Sequence, residues 1–508
     1  MMVRRRIVAV ASALLVSLSL SACAGPAART ESTPAPSDVS ADVAPFYEQV
    51  LTWTSCEKEM QCATATAPLD WSDPARDSID LALIRHAATA AGAPIGSVLV
   101  NPGGPGGSGY DFIADSLDYA VSADLQKRFD IVGFDPRGVN RSSAVSCHDD
   151  PAELDSFLYD ITPGEVGSDE WIAAAQAANT AFGQRCLTQT GDLLGFVDTV
   201  SAARDLDLLR AVLGDTKLNY LGFSYGTLLG ATYAELYPQN TGRLVLDGAL
   251  DPTSTSFDVS VTQAKGFESA MRAFLADCAS ASECPFSGST DDSMLKVRAL
   301  LDRLDASPIR NTDGRELGSN AMTSAIVLPL YSKDNWPYLQ QLFGAVMKGD
   351  AKLAFTLADS YNGRDVDGTY IDNSLEARLA INCLDYASQA DVSVMREEAT
   401  ELAVAAPVLG KQLSYGDLGC LGWPVAAASQ RPVIDGAGAA DILVVGTTND
   451  PATPYSWAQA LARQLESGHL VTYAGEGHTA YNKSNDCVDS TVDDYFITGT
   501  VPASDPMC

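Results

Sequence analysis

The chain has 508 residues, 46% of them hydrophobic and 19% charged, so it carries ample apolar surface to fold and is too long for one small core at about 150 residues per domain. Lys plus Arg number 33 against 65 Asp plus Glu, a formal charge of -32, and a surface of that sign repels a polyanion, which excludes nucleic-acid binding. The same surface suits basic or amino-terminal ligands as well as plain solubility.

Arg4, Arg5 and Arg6 precede an apolar run over residues 7–20, too short to span a bilayer comfortably, and residues 1–22 read as a signal peptide. The next segment, Leu20-Ser21-Ala22-Cys23, resembles a bacterial lipoprotein box, which makes Cys23 the expected lipidated N-terminus after cleavage. Two acyl chains hold a protein to a membrane where one is marginal. The expected location is therefore outside the cell, lipid-anchored on the outer face of the membrane, with a released extracellular form as a second destination. Residues 23–42 are mostly Ala, Pro, Ser, Thr and Gly and read as a flexible tether.

Beyond the tether, strand-like segments at 79–84, 97–101, 130–134, 218–222 and 243–246 alternate with helical ones. Ala202, Leu206, Leu209 and Leu213 recur at the spacing of a helix resting on a sheet. Such alternation predicts an α/β fold, with a mostly parallel central sheet and helices on both faces. The strand pattern stops over residues 251–440, which read as a large, mainly helical cap insertion, and resumes at 442–445 and 469–473. Residues 43–250 and 441–508 then form the two parts of the core. With Cys23 set aside, ten of the eleven cysteines remain, an even number in an exported chain, which points to disulfides. The simplest assignment is local: Cys56 with Cys62, Cys147 with Cys186, Cys278 with Cys284, Cys383 with Cys420, and Cys487 with Cys508.

Gly222-Phe223-Ser224-Tyr225-Gly226 follows an apolar strand and opens a helix. Strand, sharp turn and helix together make a nucleophile elbow, in which glycines tolerate a turn too tight for side chains and the Ser224 hydroxyl is pushed into the open. A serine needs a base. Of four histidines, His478 alone lies in a loop just past the carboxyl end of a late strand, where open α/β sheets place their sites. Asp450, in the loop after the preceding strand, is the candidate orienter, and the order Ser224, Asp450, His478 suits an elbow serine. Residues 101–109, Asn-Pro-Gly-Gly-Pro-Gly-Gly-Ser-Gly, lack the dinucleotide-binding spacing. They fit an oxyanion hole, in which the N–H of Gly104 joins that of Tyr225. The histidines are too scattered for metal ligation, and neither a metal nor an organic cofactor is expected.

Taken together, residues 101–109, Asp135-Pro136-Arg137-Gly138, the elbow, Asp450-Pro451-Ala452-Thr453-Pro454-Tyr455 and Gly477-His478-Thr479 resemble the α/β-hydrolase peptidases that include proline iminopeptidases and exported tripeptidyl aminopeptidases. The resemblance spans most of the mature chain, and its last part is similar to the C-terminal segment of the tripeptidyl branch. It implies an α/β-hydrolase fold and hydrolysis of peptides near a free N-terminus, with Ser224 as nucleophile, His478 as base and then acid, and Asp450 as orienter. Proline iminopeptidases carry His before their glycine loop where this chain has Asn101-Pro102, which favours the tripeptidyl branch. Asp385 is the candidate for binding the substrate amino group, against the alternative of a structural aspartate beside Cys383. Two other readings remain at this stage: a carboxylesterase or lipase using the same three residues, and a non-catalytic surface-binding protein that keeps the fold.

Overall fold

A computed structural model of the chain describes residues 30–427 and 431–508. The signal peptide over 1–22 and the lipidation site Cys23 lie outside the described residues. In chain order the strands are β1 Thr54–Ser55, β2 Gln61–Pro68, β3 Ser78–His86, β4 Ser97–Asn101, β5 Asp130–Phe134, β6 Leu218–Phe223, β7 Thr241–Asp247, β8 Ile309–Arg310, β9 Glu316–Leu317, β10 Ile442–Asn449 and β11 Gly468–Glu476. The helices are α1 Ala44–Tyr47, α2 Gly109–Ala120, α3 Ala123–Arg128, α4 Pro151–Tyr159, α5 Asp169–Thr190, α6 Thr199–Leu213, α7 Tyr225–Leu236, α8 Ser256–Cys278, α9 Thr290–Ala306, α10 Ser319–Leu330, α11 Trp336–Val346, α12 Lys352–Tyr361, α13 Ser374–Asp385, α14 Val392–Ala405, α15 Tyr455–Gln464 and α16 Asp486–Thr498.

Nine strands form one sheet in the order β1-β2-β3-β5-β4-β6-β7-β10-β11. The first three pair antiparallel, β3 pairs antiparallel with β5, and the rest is parallel. β4 and β5 are buried at every position, as strands covered by helices on both faces must be, and their sequences are accordingly apolar runs rather than alternations. β3, toward the edge, alternates between exposed and buried residues in its first half.

Register aligns the carboxyl ends. Asn101 of β4 stands opposite Gly222 of β6, Phe223 of β6 opposite Asp247 of β7, and Asn449 of β10 opposite Glu476 of β11. The loops that follow these strands therefore leave the sheet along one edge, the edge where parallel sheets bind ligands.

Between β7 and β10 lie α8 to α14 and the small β8–β9 ribbon. These helices have their own core, built from residues such as Phe274, Leu301, Met322, Phe343 and Phe355. Tyr159, from α4 after β5, is buried in that same core. The cap layer thus draws on a second stretch of chain as well, which periodicity alone could not reveal because it shows that a helix has an apolar face and not what that face packs against.

Residues 30–39 differ from their expected place in the tether. Ser32 N donates to Leu51 O at 2.9 Å, Ala35 N to Ala211 O at 2.8 Å and Trp53 N to Thr30 O at 2.8 Å, and Ala35 is buried. The docking runs through backbone groups, which composition does not report. All five local cysteine pairs are disulfide-bonded. Among the described residues no helix is long and apolar enough to cross a membrane.

Candidate active site

β6 runs straight into α7 with Ser224 as the only residue between them, at φ 56° and ψ -123°. A non-glycine residue in this region costs roughly 1–3 kcal/mol and persists only where its surroundings hold it. Here Ser224 N donates to Asp247 O at 2.9 Å, and Ser224 O accepts from Thr227 N at 2.9 Å and from Thr227 Oγ1 at 2.6 Å. The flanking glycines are required by contact: a Cβ at Gly222 would lie 2.4 Å from Gly226 O, and one at Gly226 would lie 2.8 Å from Asn101 Oδ1. The Ser224 hydroxyl itself makes no hydrogen bond to another described residue and is partly exposed. Nucleophile-to-base contacts often tighten only once substrate is bound.

His478 is held from both sides. Its Nδ1 lies 2.9 Å from each carboxylate oxygen of Asp450, and because a carboxylate only accepts, the proton sits on Nδ1 and leaves the Nε2 lone pair free. Asp450 is buried and further accepts from Ala452 N at 2.9 Å, Thr453 N at 2.8 Å, Thr453 Oγ1 at 3.0 Å and Thr479 N at 3.3 Å. That many donors fix the carboxylate in one orientation. On the cap side His478 N donates to Tyr331 O at 2.8 Å, and the Tyr331 ring meets the imidazole edge-on at 5.2 Å.

Asp247, at the end of β7, ties the two halves together. Its backbone oxygen holds Ser224, and its carboxylate accepts from Ala480 N and Tyr481 N, each at 2.9 Å. A Cβ at Gly248 would lie 3.1 Å from His478 Cε1. Burial pushes the Asp247 carboxyl up and the neighbouring Lys483 ammonium down, while each partly restores the other's charge. Lys483 donates to Thr479 Oγ1 at 2.6 Å and lies over the Phe223 ring at 4.5 Å. Sequence reading passed over Asp247, Tyr331 and Lys483. The one local signal among them is a carboxylate closing an apolar strand, Leu244-Val245-Leu246-Asp247.

The glycine loop lies against the elbow. A Cβ at Gly103 would sit 2.5 Å from Phe223 O and 3.1 Å from Tyr225 N, so only bare backbone fits. Gly103 N donates to Asn101 Oδ1 at 2.9 Å, which closes the turn that starts the loop. The N–H groups of Gly104 and Tyr225 have no acceptor among the described residues, as expected for the first residue of a helix and for donors held ready for a ligand oxygen. The far end of the loop is fastened by Ser108 Oγ, 2.5 Å from the buried Asp135, which also accepts from Tyr110 N and Arg141 N. Arg137 of the same motif forms a fully buried pair with Asp205 at 2.6 Å.

Asp385 is only 7% exposed. Its oxygens accept from Thr199 N at 2.9 Å and Thr199 Oγ1 at 2.6 Å, and Thr199 Oγ1 is in turn 2.5 Å from the Tyr225 hydroxyl. Burial pushes its carboxyl up to about 7. An ammonium ligand needs exposed, ionised oxygens, and Asp385 has its oxygens engaged behind Tyr225. Of the other histidines, His148 lies beside Glu376 at 3.7 Å and His469 pairs with Asp441 at 3.0 Å. Among the described residues no group of three or more His, Cys, Asp or Glu is placed to hold a metal ion.

The chain as a whole has relatives. Residues 406–508 match the family described as TAP-like protein. Serine protease Hip1 of Mycobacterium tuberculosis is 37% identical over 487 residues, covering 91% of this chain and 92% of that one. Carboxylesterase B of the same organism is 36% identical over 485 residues, covering 92% and 91%. Tripeptidyl aminopeptidase of Streptomyces lividans is 29% identical over 469 residues, covering 90% and 86%. The chain belongs to the TAP-like family of α/β-hydrolases and is a serine hydrolase.

Proposed function

We propose that the chain is an exported serine aminopeptidase that releases short peptides, tripeptides above all, from free N-termini through an acyl-enzyme on Ser224. The observation that carries this reading is a serine held at φ 56° and a His478–Asp450 pair, with Nδ1 2.9 Å from both carboxylate oxygens, the serine and the loop after His478 both tied to Asp247. Ser224 Oγ attacks the scissile carbonyl while His478 Nε2 takes its proton, and Asp450 stabilises the imidazolium that results. Negative charge on the carbonyl oxygen is met by the N–H groups of Gly104 and Tyr225. His478 returns the proton to the leaving amine, and water then repeats the sequence to free the peptide acid. Peptides as substrates are supported by the names of the serine protease and tripeptidyl aminopeptidase relatives. Export and anchoring rest on residues 1–22 and Cys23, and replacing Cys23 with Ala should release the protein from membranes and abolish its labelling by fatty acid.

The test compares an amino-free tripeptide chromogenic substrate, its N-blocked form and a short-chain ester. Cleavage of the amino-free peptide alone is expected, with Ser224→Ala lowering kcat by about 10⁴-fold or more. Turnover of the ester without the peptide would replace this reading with that of a carboxylesterase. Peptide turnover that survives Ser224→Ala would remove Ser224 from the chemistry.

A further inference from the structure

The segment after His478 departs from the backbone preferences of its residues. Thr479 has φ 65° and Asn482 φ 59°, and a β-branched residue in the left-handed region persists only where its surroundings hold it. Asn482 is held by its own side chain, whose Nδ2 donates to Asp118 O at 2.8 Å and to Tyr119 O at 3.1 Å near the end of α2. Thr479 is held by Asp450, which accepts from its N–H at 3.3 Å, and by Lys483. The Lys483 ammonium donates to Thr479 Oγ1 at 2.6 Å, its one hydrogen bond among the described residues. It also lies over the rings of Phe223 and Tyr119, each at 4.5 Å.

A half-buried ammonium with one hydrogen bond is a costly way to hold a hydroxyl. Two features account for a cation here. The carboxylate of Asp247 is buried at the end of β7, and Lys483 is the cation that acts on it most strongly. The second feature is direction. An ammonium only donates, so the Thr479 hydroxyl accepts from it and keeps its single hydrogen for His478 O, 2.6 Å away. A neutral hydroxyl in place of Lys483 could donate or accept and would leave that hydrogen uncommitted. His478 is then fixed at three points: its N–H donates to Tyr331 O, its carbonyl accepts from Thr479 Oγ1 and its Nδ1 faces Asp450. Phe223 immediately precedes Ser224, so one side chain touches both the elbow and the histidine loop.

We propose that Lys483 is a positioning residue for the hydrolase chemistry: its ammonium commits the Thr479 hydroxyl to His478 O and so sets where the imidazole stands relative to Ser224. Lys483 touches no reacting atom and acts through Thr479. The proposal rests on the reading of His478 as the base for Ser224, and it holds whether the acyl group comes from a peptide or from an ester. A lysine that only neutralised Asp247 would stabilise the fold without acting through Thr479.

The experiment labels the full chain with a fluorophosphonate, which reacts at a serine activated by its histidine and requires no knowledge of the substrate. Second-order labelling rates are compared for the parent, Lys483→Met, Thr479→Val and the double variant, with circular dichroism to show that each is folded. Each single substitution is expected to slow labelling about tenfold or more, since a misplacement of about 1 Å can cost about a hundredfold. The double variant should be no slower than the slower single one, because both substitutions break the same link. Unchanged labelling of Lys483→Met overturns the proposal. So do losses that multiply in the double variant, the result expected of a lysine that serves only Asp247. Should Lys483→Met fail to fold, Thr479→Ser is compared with Thr479→Val: serine keeps the hydroxyl and should label faster, and equal rates overturn the proposal. A parent that is not labelled at Ser224, with Ser224→Ala as the control, would sink the reading of the site and this proposal with it. Labelling that follows the expected pattern without cleavage of the amino-free peptide would sink the aminopeptidase reading alone.

Discussion

Asp385 couples folding to pH through burial. Its carboxyl is pushed up to about 7 by desolvation, against hydrogen bonds from Thr199 that pull it down. Between the ordinary carboxylate range and about pH 7 the folded state keeps this proton and the unfolded chain has lost it, so stability falls as pH rises through that window and levels off above it. A shift of about three units is worth up to about 4 kcal/mol. Asp385→Asn keeps the shape and an acceptor for Thr199 N while removing the titration. Urea midpoints for the two proteins across pH 4 to 8 should therefore converge at low pH, with the variant gaining relative to the parent as pH rises. Parallel curves would mean that Asp385 is ionised throughout. At this scale the sequence was legible where a residue announces itself locally: Ser224, Asp450 and His478 each stand just beyond an apolar strand. The burial of Asp385 was not legible, because its neighbours Thr199 and Tyr225 come from 186 and 160 residues away in the chain. Nor was the part played by Asp247, whose partners Ala480 and Tyr481 are 233 and 234 residues distant.

Three cap helices each rest on a different loop of the candidate site. α8 lies on the Asp450 loop, with Gln263 Nε2 donating to Ala452 O at 2.8 Å and Ser269 Oγ to Asn449 Oδ1 at 2.7 Å. α10 ends at Tyr331, which holds the His478 loop. α13 lies on the glycine loop: a Cβ at Gly106, whose φ is 92°, would be 2.4 Å from Ser374 O and 3.0 Å from Arg378 N. The cap is thus a set of clamps as well as a cover, and periodicity could show its helices but not their seats. Gly106→Ala tests one seat. The positive φ and the clash with helix backbone should cost roughly 1–3 kcal/mol. The larger effect should be on turnover, because lifting α13 or shifting the loop moves Gly104, and losing one such donor costs about a hundredfold or more. Thermal melts and kcat/KM for the amino-free peptide measure the two effects separately. A variant that is destabilised but turns over normally would mean that the loop keeps its shape without α13.

Across the whole molecule, a mostly parallel sheet covered by helices follows from the alternation of apolar runs with amphipathic segments, whereas the strand order, the docking of residues 30–39 and the contribution of α4 to the cap come from backbone pairing and tertiary contact. The disulfides belong to this scale, since each constrains a different part of the assembly. Cys56–Cys62 closes a separation of 6 residues beside β1 and β2, and Cys383–Cys420 closes one of 37 between α13 and the segment after α14. Loop-closure entropy makes the longer bridge worth about 4 kcal/mol and the shorter about 2 kcal/mol. The more telling contrast is functional. Cys383 is on the helix that seats Gly106, whereas Cys56 and Cys62 lie at the far antiparallel edge of the sheet. Replacing Cys383 and Cys420 with Ala should lower kcat/KM at temperatures well below the melt, because α13 loosens from the glycine loop before the core unfolds. Replacing Cys56 and Cys62 should lower the melting temperature while leaving kcat/KM at 25 °C unchanged. If both pairs reduced turnover equally, the effect would be global and the clamping role of α13 would be lost; if neither did, the glycine loop would owe its geometry to the core alone.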